Sequence, residues 1–250
     1  MKKIISIVVI MVAIWPAASK GQNKRFTSIY PTVASDYKNF YSLKNLGQMV
    51  LGLGIGAIYA NTTFDREIQN LYNEYIRTGT TDDISKVFKP FGNGRVMVPV
   101  YLGAMLAGEW LPDSRLGNGV GDFGRQTSRA LLVGVPLVLL LQRAIGASRP
   151  YESTHSYWHS FADDNGVSGH SFMGAVPFLV AAQLAPQRWL KYPLYMGSML
   201  TGFSRINDNQ HYFSQAFLGW WIAWLATRAI NSRHVAVAGS GNGIKVVVYF

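Results

Sequence analysis

The sequence predicts an all-α fold: a helical bundle of about six core helices, followed by a short C-terminal β-hairpin. Two patterns carry that prediction. Apolar stretches of helical length recur between residues 46 and 230, with Gly and Pro marking their ends or kinks. Strand-like alternation is confined to the tail, where residues 234–238 and 244–250 flank Gly239-Ser240-Gly241-Asn242-Gly243. Composition sets the scale. The 250 residues, 49% hydrophobic and 14% charged, can bury a sizeable core, which excludes an intrinsically disordered chain. Mean hydropathy is only +0.11, on the border between a membrane protein and a very apolar soluble one. Zero cysteines exclude a disulfide scaffold, a Cys nucleophile, zinc fingers and iron–sulfur ligation.

Taken in order, Lys2 and Lys3 precede an apolar run over residues 4–15 and then Pro16-Ala17-Ala18-Ser19. This is the three-part pattern of a secretory signal peptide over residues 1–19, and the run is too short for a bilayer span. Export into a bacterial cell envelope is the expectation. Residues 20–44 are aromatic and polar without clear period and read as an irregular arm. The Gly-rich apolar stretch 46–60 reads as a helix able to pack closely on its neighbours. Over 64–76, Ile68, Leu71, Tyr72, Tyr75 and Ile76 share one helical face opposite the charges, an amphipathic helix. A short helix over 82–89 is expected behind a Thr80 or Thr81 cap, then a turn at Gly92-Asn93-Gly94.

Residues 20–94 therefore form an arm with accessory helices, and 95–230 a core domain with helices over 96–110, 128–144, 171–184, 192–203 and 213–230. Residues 231–250 form the hairpin. None of these runs offers the roughly 20 uninterrupted apolar residues of an ordinary span. Arg129 and Arg143 bracket a charge-free stretch of only 13 residues. A membrane-embedded bundle and a periplasmic soluble core both remain open. The net charge of +10 is scattered rather than clustered, which argues against nucleic acid and for phosphorylated substrates or anionic lipid.

Three short segments concentrate phosphate-binding and proton-transfer residues. The first runs from Gln142 and Arg143 to Arg149-Pro150 at the end of an apolar helix. The second is Val167-Ser168-Gly169-His170-Ser171, a Gly turn opening another helix, where backbone N–H groups and the helix dipole favour an anion. The third is Ser204-Arg205-Ile206-Asn207-Asp208-Asn209-Gln210-His211, entering the last apolar helix. Alternating helices would bring these ends to one side of the bundle. Two arginines, a Gly turn and two histidines converging there would bind a phosphate, with one His attacking phosphorus and the other protonating the leaving oxygen.

On these motifs the sequence resembles the type 2 phosphatidic acid phosphatase and vanadium-dependent haloperoxidase superfamily, whose signature is Lys-x6-Arg-Pro, Pro-Ser-Gly-His and Ser-Arg-x5-His-x3-Asp. Arg149-Pro150, Ser168-Gly169-His170 and Ser204-Arg205-x5-His211 match in order, within a resemblance covering roughly residues 95–230. The resemblance implies His211 as the nucleophile forming a phosphohistidine and His170 as the general acid. Arg149 and Arg205 would clamp the phosphate oxygens, and Ser168 with the Gly169 amide would complete the cradle. It implies an exported phosphatase acting on phosphatidic acid-like lipids or other envelope phosphomonoesters. No metal or other cofactor is expected, apart from vanadate should the chain belong to the haloperoxidase branch.

Three positions depart from that signature. Its Lys falls at Gln142, with Arg143 adjacent as a substitute charge, and its Pro falls at Val167. Its Asp, which orients the nucleophilic His, falls at Gln215, with Asp208 as a candidate substitute. A Gln can accept from Nδ1–H but offers an imidazolium no charge; in a Ser-His-Asp triad the Asp→Asn change costs about 10⁴ in kcat. A catalytically weakened or inactive phosphate-binding protein is therefore the alternative. His155 and His159 are four apart, as metal ligands can be, but lack a third ligand at typical spacing. They read instead as part of a loop lined by Tyr151, Tyr157, Trp158 and Phe161 over the substrate.

Overall fold

Burial sorts the helices by which face they turn inward. The computed structural model describes residues 29–111, 115–231, 234–240 and 243–249; the expected signal peptide lies outside the described residues. Among those residues the fold is all-α with nine α-helices, and the C-terminal strands β1 (His234–Ser240) and β2 (Gly243–Tyr249) pair antiparallel, His234 opposite Tyr249.

The arm expected to be irregular is instead a helix where it is described, α1 (Ile29–Phe40). Pro31 sits in its first turn, where a missing N–H costs nothing. Asp36, Tyr37 and Phe40 then recur at helical spacing on the inner face. Phe40 is fully buried, and the Tyr37 hydroxyl donates to Leu132 O at 2.6 Å. Helix α2 (Leu43–Ala60) begins at a Ser42 cap and turns Met49, Gly52, Gly56 and Ala60 inward.

Over 64–76 the helix is shorter than expected: α3 (Phe64–Leu71) gives way to a π-turn, Tyr72–Ile76. Its apolar face is left exposed at Leu71, Tyr75 and Ile76, while polar Asp65 and Gln69 are buried. Tertiary hydrogen bonds decide this: Gln69 Nε2 donates to Ile206 O at 3.1 Å and to Asn209 Oδ1 at 2.8 Å. Helix α4 (Gly79–Phe88) starts behind Thr78 rather than Thr80 or Thr81, because Thr78 and Thr81 form a reciprocal capping box. A 3₁₀ turn, Lys89–Gly92, and an Asn93 cap lead into α5 (Gly94–Trp110).

Helix α6 (Arg115–Ile145) starts 13 residues before the expected Ser128. Its polar, Gly-containing first half resembles a loop by propensity, but Gly121 and Gly124 let the backbone lie against Gly108 and Tyr101 of α5. Close packing overrides a propensity penalty of about 1 kcal/mol per Gly. Helices α7 (Gly169–Leu184), α8 (Arg188–Asn207) and α9 (Phe213–Ile230) complete the bundle; α8 extends several residues beyond the expected 192–203 at both ends. Phe172, Val176 and Leu179 of α7 join Leu218, Ile222 and Leu225 of α9 and Val133 of α6 in one core cluster. Helix α9 is its axis.

Candidate active site

Four helix ends meet at one pole: the C-terminal ends of α6 and α8 and the N-terminal ends of α7 and α9. Backbone groups lock them together. Ser168 N donates to Gln215 O at 2.9 Å and Gly166 N to Gln142 O at 3.1 Å. The chain leaves α6 through Gly146, whose φ of +59° is a left-handed conformation that a side chain resists. A Cβ there would also strike the His159 carbonyl. This turn directs Ser148 and Arg149 into the pole.

Gln215 fixes the histidine. Its Nε2 donates to Ser148 O at 2.8 Å and its Oε1 accepts from Tyr212 N at 3.1 Å, so two backbone groups set which end of the amide points where. The same Oε1 lies 2.9 Å from His211 Nδ1. An amide oxygen only accepts, so Nδ1 carries the proton and Nε2 keeps its lone pair. Gln215 thus occupies the orienting position, and Asp208 does not: Asp208 accepts from Lys89 Nζ and Ser85 Oγ, each at 2.8 Å.

The cations surround these groups. Arg149 is aimed by three acceptors: Asn165 Oδ1 at 2.6 Å from Nε, and Tyr151 Oη at 3.0 Å and Gln210 Oε1 at 3.4 Å from Nη1. Arg205 is only 5% exposed, yet its Nε and Nη1 have no hydrogen-bond partner. Its nearest carboxylate oxygen, Asp208 Oδ2, lies 3.9 Å from Nη1, too far for a hydrogen bond. A buried guanidinium with idle donors is unfavourable unless an anion completes it.

Ser168 caps α7, its Oγ accepting from Ser171 N at 3.2 Å, which leaves its O–H to donate elsewhere. Gly169 and His170 follow in the first helical turn, where N–H groups lack intrahelical acceptors. His170 is half-buried; burial first, then the charges of Arg205, Arg149 and Lys89, lower its pKa from 6.5 to about 4. Burial likewise lowers His211 to about 3, with Arg149, Arg205 and His170 adding to the effect against the Gln215 hydrogen bond. Both rings are therefore neutral at neutral pH.

Two expected contributors bring no charge to the histidines, although Gln142 lies against Gly169. Gln142 spends its amide on Val167 O at 3.1 Å, and Arg143 is exposed on the helix flank, absent from the charges acting on either histidine. In the loop, Tyr157 stacks on His155 with ring centroids 4.6 Å apart, Trp158 packs on the core, and Phe161 is exposed. Among the described residues no group of three or more His, Cys, Asp or Glu is placed to hold a metal.

Sequence reasoning missed Lys89, Asn165 and Gln210, which sit on turns and carry no motif spacing. It also missed Asp65, almost fully buried at the start of α3. Asp65 accepts from Ser214 N at 2.9 Å, from Ser214 Oγ, and from Ser156 Oγ at 2.6 Å, pinning the substrate loop to the start of α9.

Neither curated proteins nor solved structures give a match to the chain. Residues 123–237, the stretch holding all three motifs and both histidines, do match a family, described as the PAP2 superfamily. Over that segment, a little under half of the chain, the sequence is similar to the PAP2 superfamily, a family of phosphatases.

Proposed function

We propose that the protein hydrolyses phosphomonoesters, phosphatidic acid-like lipids or other envelope phosphate esters, through a phosphohistidine on His211. The observation that carries this reading is the tautomer set by Gln215, which leaves the His211 Nε2 lone pair free beside two arginines. Nε2 attacks phosphorus while the ester P–O bond breaks, and His170 gives its proton to the departing oxygen. Water then attacks phosphorus as the P–Nε2 bond breaks, His170 takes a proton from that water, and phosphate leaves. A free neutral His170 is a poor acid. A bound phosphate dianion offsets the field of the arginines and raises the His170 pKa towards the working range. The arginine donors hold the charge that spreads over the equatorial oxygens.

The outer surface supports a lipid environment. Val50 and Leu51 of α2, Val96 and Val100 of α5 and Tyr192 and Met196 of α8 are all exposed. Among the described residues, α6 over Leu116–Ile145 is the one helix long and apolar enough by itself to cross a bilayer. Arg125, Arg129, Arg188, Lys191 and Arg228 lie towards the helix ends away from the site. By the positive-inside rule this favours a membrane-associated bundle whose site faces the periplasm, in keeping with an exported chain.

The neutral side chains at Gln142 and Gln215 favour a second reading, a phosphate-binding protein that turns over slowly or not at all. Phosphate release from phosphatidic acid and from p-nitrophenyl phosphate, with His211→Ala in parallel, separates the two. Vanadate-sensitive turnover lost by at least about 10³-fold in the variant is the expected result, as for removal of a nucleophile. Equal turnover in both proteins would overturn the assignment. Vanadate binding without turnover would establish the second reading.

A further inference from the structure

The missing cation of the first motif has a physical replacement elsewhere in the fold. Gln142 is neutral and committed to the Val167 carbonyl, so the α6 side of the pole offers a phosphate no charge before Arg149. Lys89 enters from the opposite side, on the 3₁₀ turn Lys89–Gly92. That turn lies flush against the candidate acid: a Cβ on Gly92 would stand 2.8 Å from His170 O and 3.0 Å from its Cδ2. Only glycine permits so close an approach.

The Lys89 ammonium ends 2.8 Å from Asp208 Oδ2, the same oxygen that lies 3.9 Å from Arg205 Nη1. One carboxylate oxygen therefore sits between a lysine and the buried arginine whose Nε and Nη1 have no hydrogen-bond partner. An open polar cleft of about 440 Å³ runs past Lys89, Asp208 and Gln210, and Gln210 in turn holds Arg149. Lys89 lines that cleft with Gln210 and Asp208, the side chains that hold Arg149 and face Arg205. The charge of Lys89 reaches His170 together with those of the two arginines.

We infer that Lys89 is the third cation of the phosphate cradle, a direct ligand of the substrate phosphate that takes the place of the lysine absent at Gln142. The inference rests on the phosphatase reading above. It commits the site to a dianionic phosphomonoester, whose two negative charges are matched once Lys89 joins the two arginines and Asp208, and are left half matched without it. If Lys89 merely tethered its turn to Asp208, the contact would be an ordinary ion pair on a half-exposed side chain, and such pairs contribute little.

Orthovanadate binding by calorimetry and hydrolysis of p-nitrophenyl phosphate, on the full chain, distinguish the two. The variants are Lys89→Gln, Lys89→Arg and, as a control on the same cleft, Lys86→Gln, whose exposed lysine pairs with Asp83. Loss of one charge-assisted contact should weaken vanadate by about tenfold or more in Lys89→Gln, with a fall of about 10² in kcat/KM. Lys89→Arg should recover to within several-fold, and Lys86→Gln should match the parent. Lys89→Gln behaving like Lys86→Gln, in a parent that binds vanadate and turns over, overturns the inference and spares the phosphatase reading. A folded parent that neither binds vanadate nor hydrolyses the ester overturns both.

Discussion

Two arginines at opposite poles of the bundle, one partly and one fully buried, differ in whether the fold supplies their partners. Arg129, in the first half of α6, meets fully buried Asp36 of α1 in a two-pronged pair, Nε to Oδ2 at 2.7 Å and Nη2 to Oδ1 at 2.6 Å. Its Nη2 also donates to Ile230 O at 3.1 Å, so one guanidinium ties together α1, α6 and the end of α9. Arg205, at the other pole, is more deeply buried and leaves two nitrogens idle. A paired cation stabilises the fold around it, whereas an unpaired one stores an unfavourable desolvation that an anion relieves. Around Arg129 the charges balance. Around Arg205 they do not: Arg149 and Lys89 add to it, and Asp208 alone offsets them.

The contrast can be broken by exchanging roles. Arg205→Gln removes the two unpartnered donors and, on the proposed phosphatase reading, should lower kcat/KM by about 10²–10³, with melting temperature unchanged or raised. Undiminished turnover would remove Arg205 from the site. Arg129→Gln should do the opposite: it takes the two-pronged cation from the buried Asp36 carboxylate at a cost of about 3–5 kcal/mol while leaving kcat of the folded fraction intact. Chemical denaturation checks this, and adding Asp36→Asn should recover part of the loss. If the single variant is as stable as the parent, the pair is not structural.

A finer probe concerns charge behind the nucleophile. Gln215→Glu keeps the side-chain length and gives the imidazolium formed at His211 an anionic partner, so kcat should rise by about tenfold. The same change puts a carboxylate oxygen against Ser148 O, which loses its donor, at a cost of about 1–3 kcal/mol. Faster turnover in a less stable protein is the expected signature. A rise in neither quantity, with stability unchanged, would mean the tether does not act on His211.

The smallest effect is in pH. His170 and His211 titrate at 6.5 when unfolded but at about 4 and about 3 when folded, so the fold prefers their neutral forms. Their contribution is present in full above pH 6.5 and is lost as pH falls through 4 towards 3. Melting temperature should fall from pH 7 to pH 5 more steeply in the parent than in His170→Gln, and vanadate should flatten the slope. Parallel slopes without ligand would contradict the burial of His170 in its neutral form.

Much of this was legible in the chain. Helix α9 runs from Phe213 to Ile230 as its apolar content predicts, and Ser168 caps α7 where the Ser-Gly-His turn places it. The motif residues Arg149, His170, Arg205 and His211 fall at one pole because helices alternating in direction bring the C-terminal ends of α6 and α8 to the N-terminal ends of α7 and α9. The misses share a cause. Helix α1, the first half of α6 and the inward turn of Asp65 and Gln69 all depend on partners distant in sequence: Arg129, the α5 backbone, and the start of α9 with the Ile206–Asn209 turn.

The sequence by itself determined the chemistry available, through side chains whose spacing along a helix is local and periodic. Tertiary structure alone decided which charges act together. It took the orienting role from Asp208 and left it with Gln215, set Arg143 aside, and brought Lys89 on a turn against His170. Electrostatic energy depends on distance through space, and a turn some eighty residues upstream of its neighbour has no periodicity from which that distance can be read.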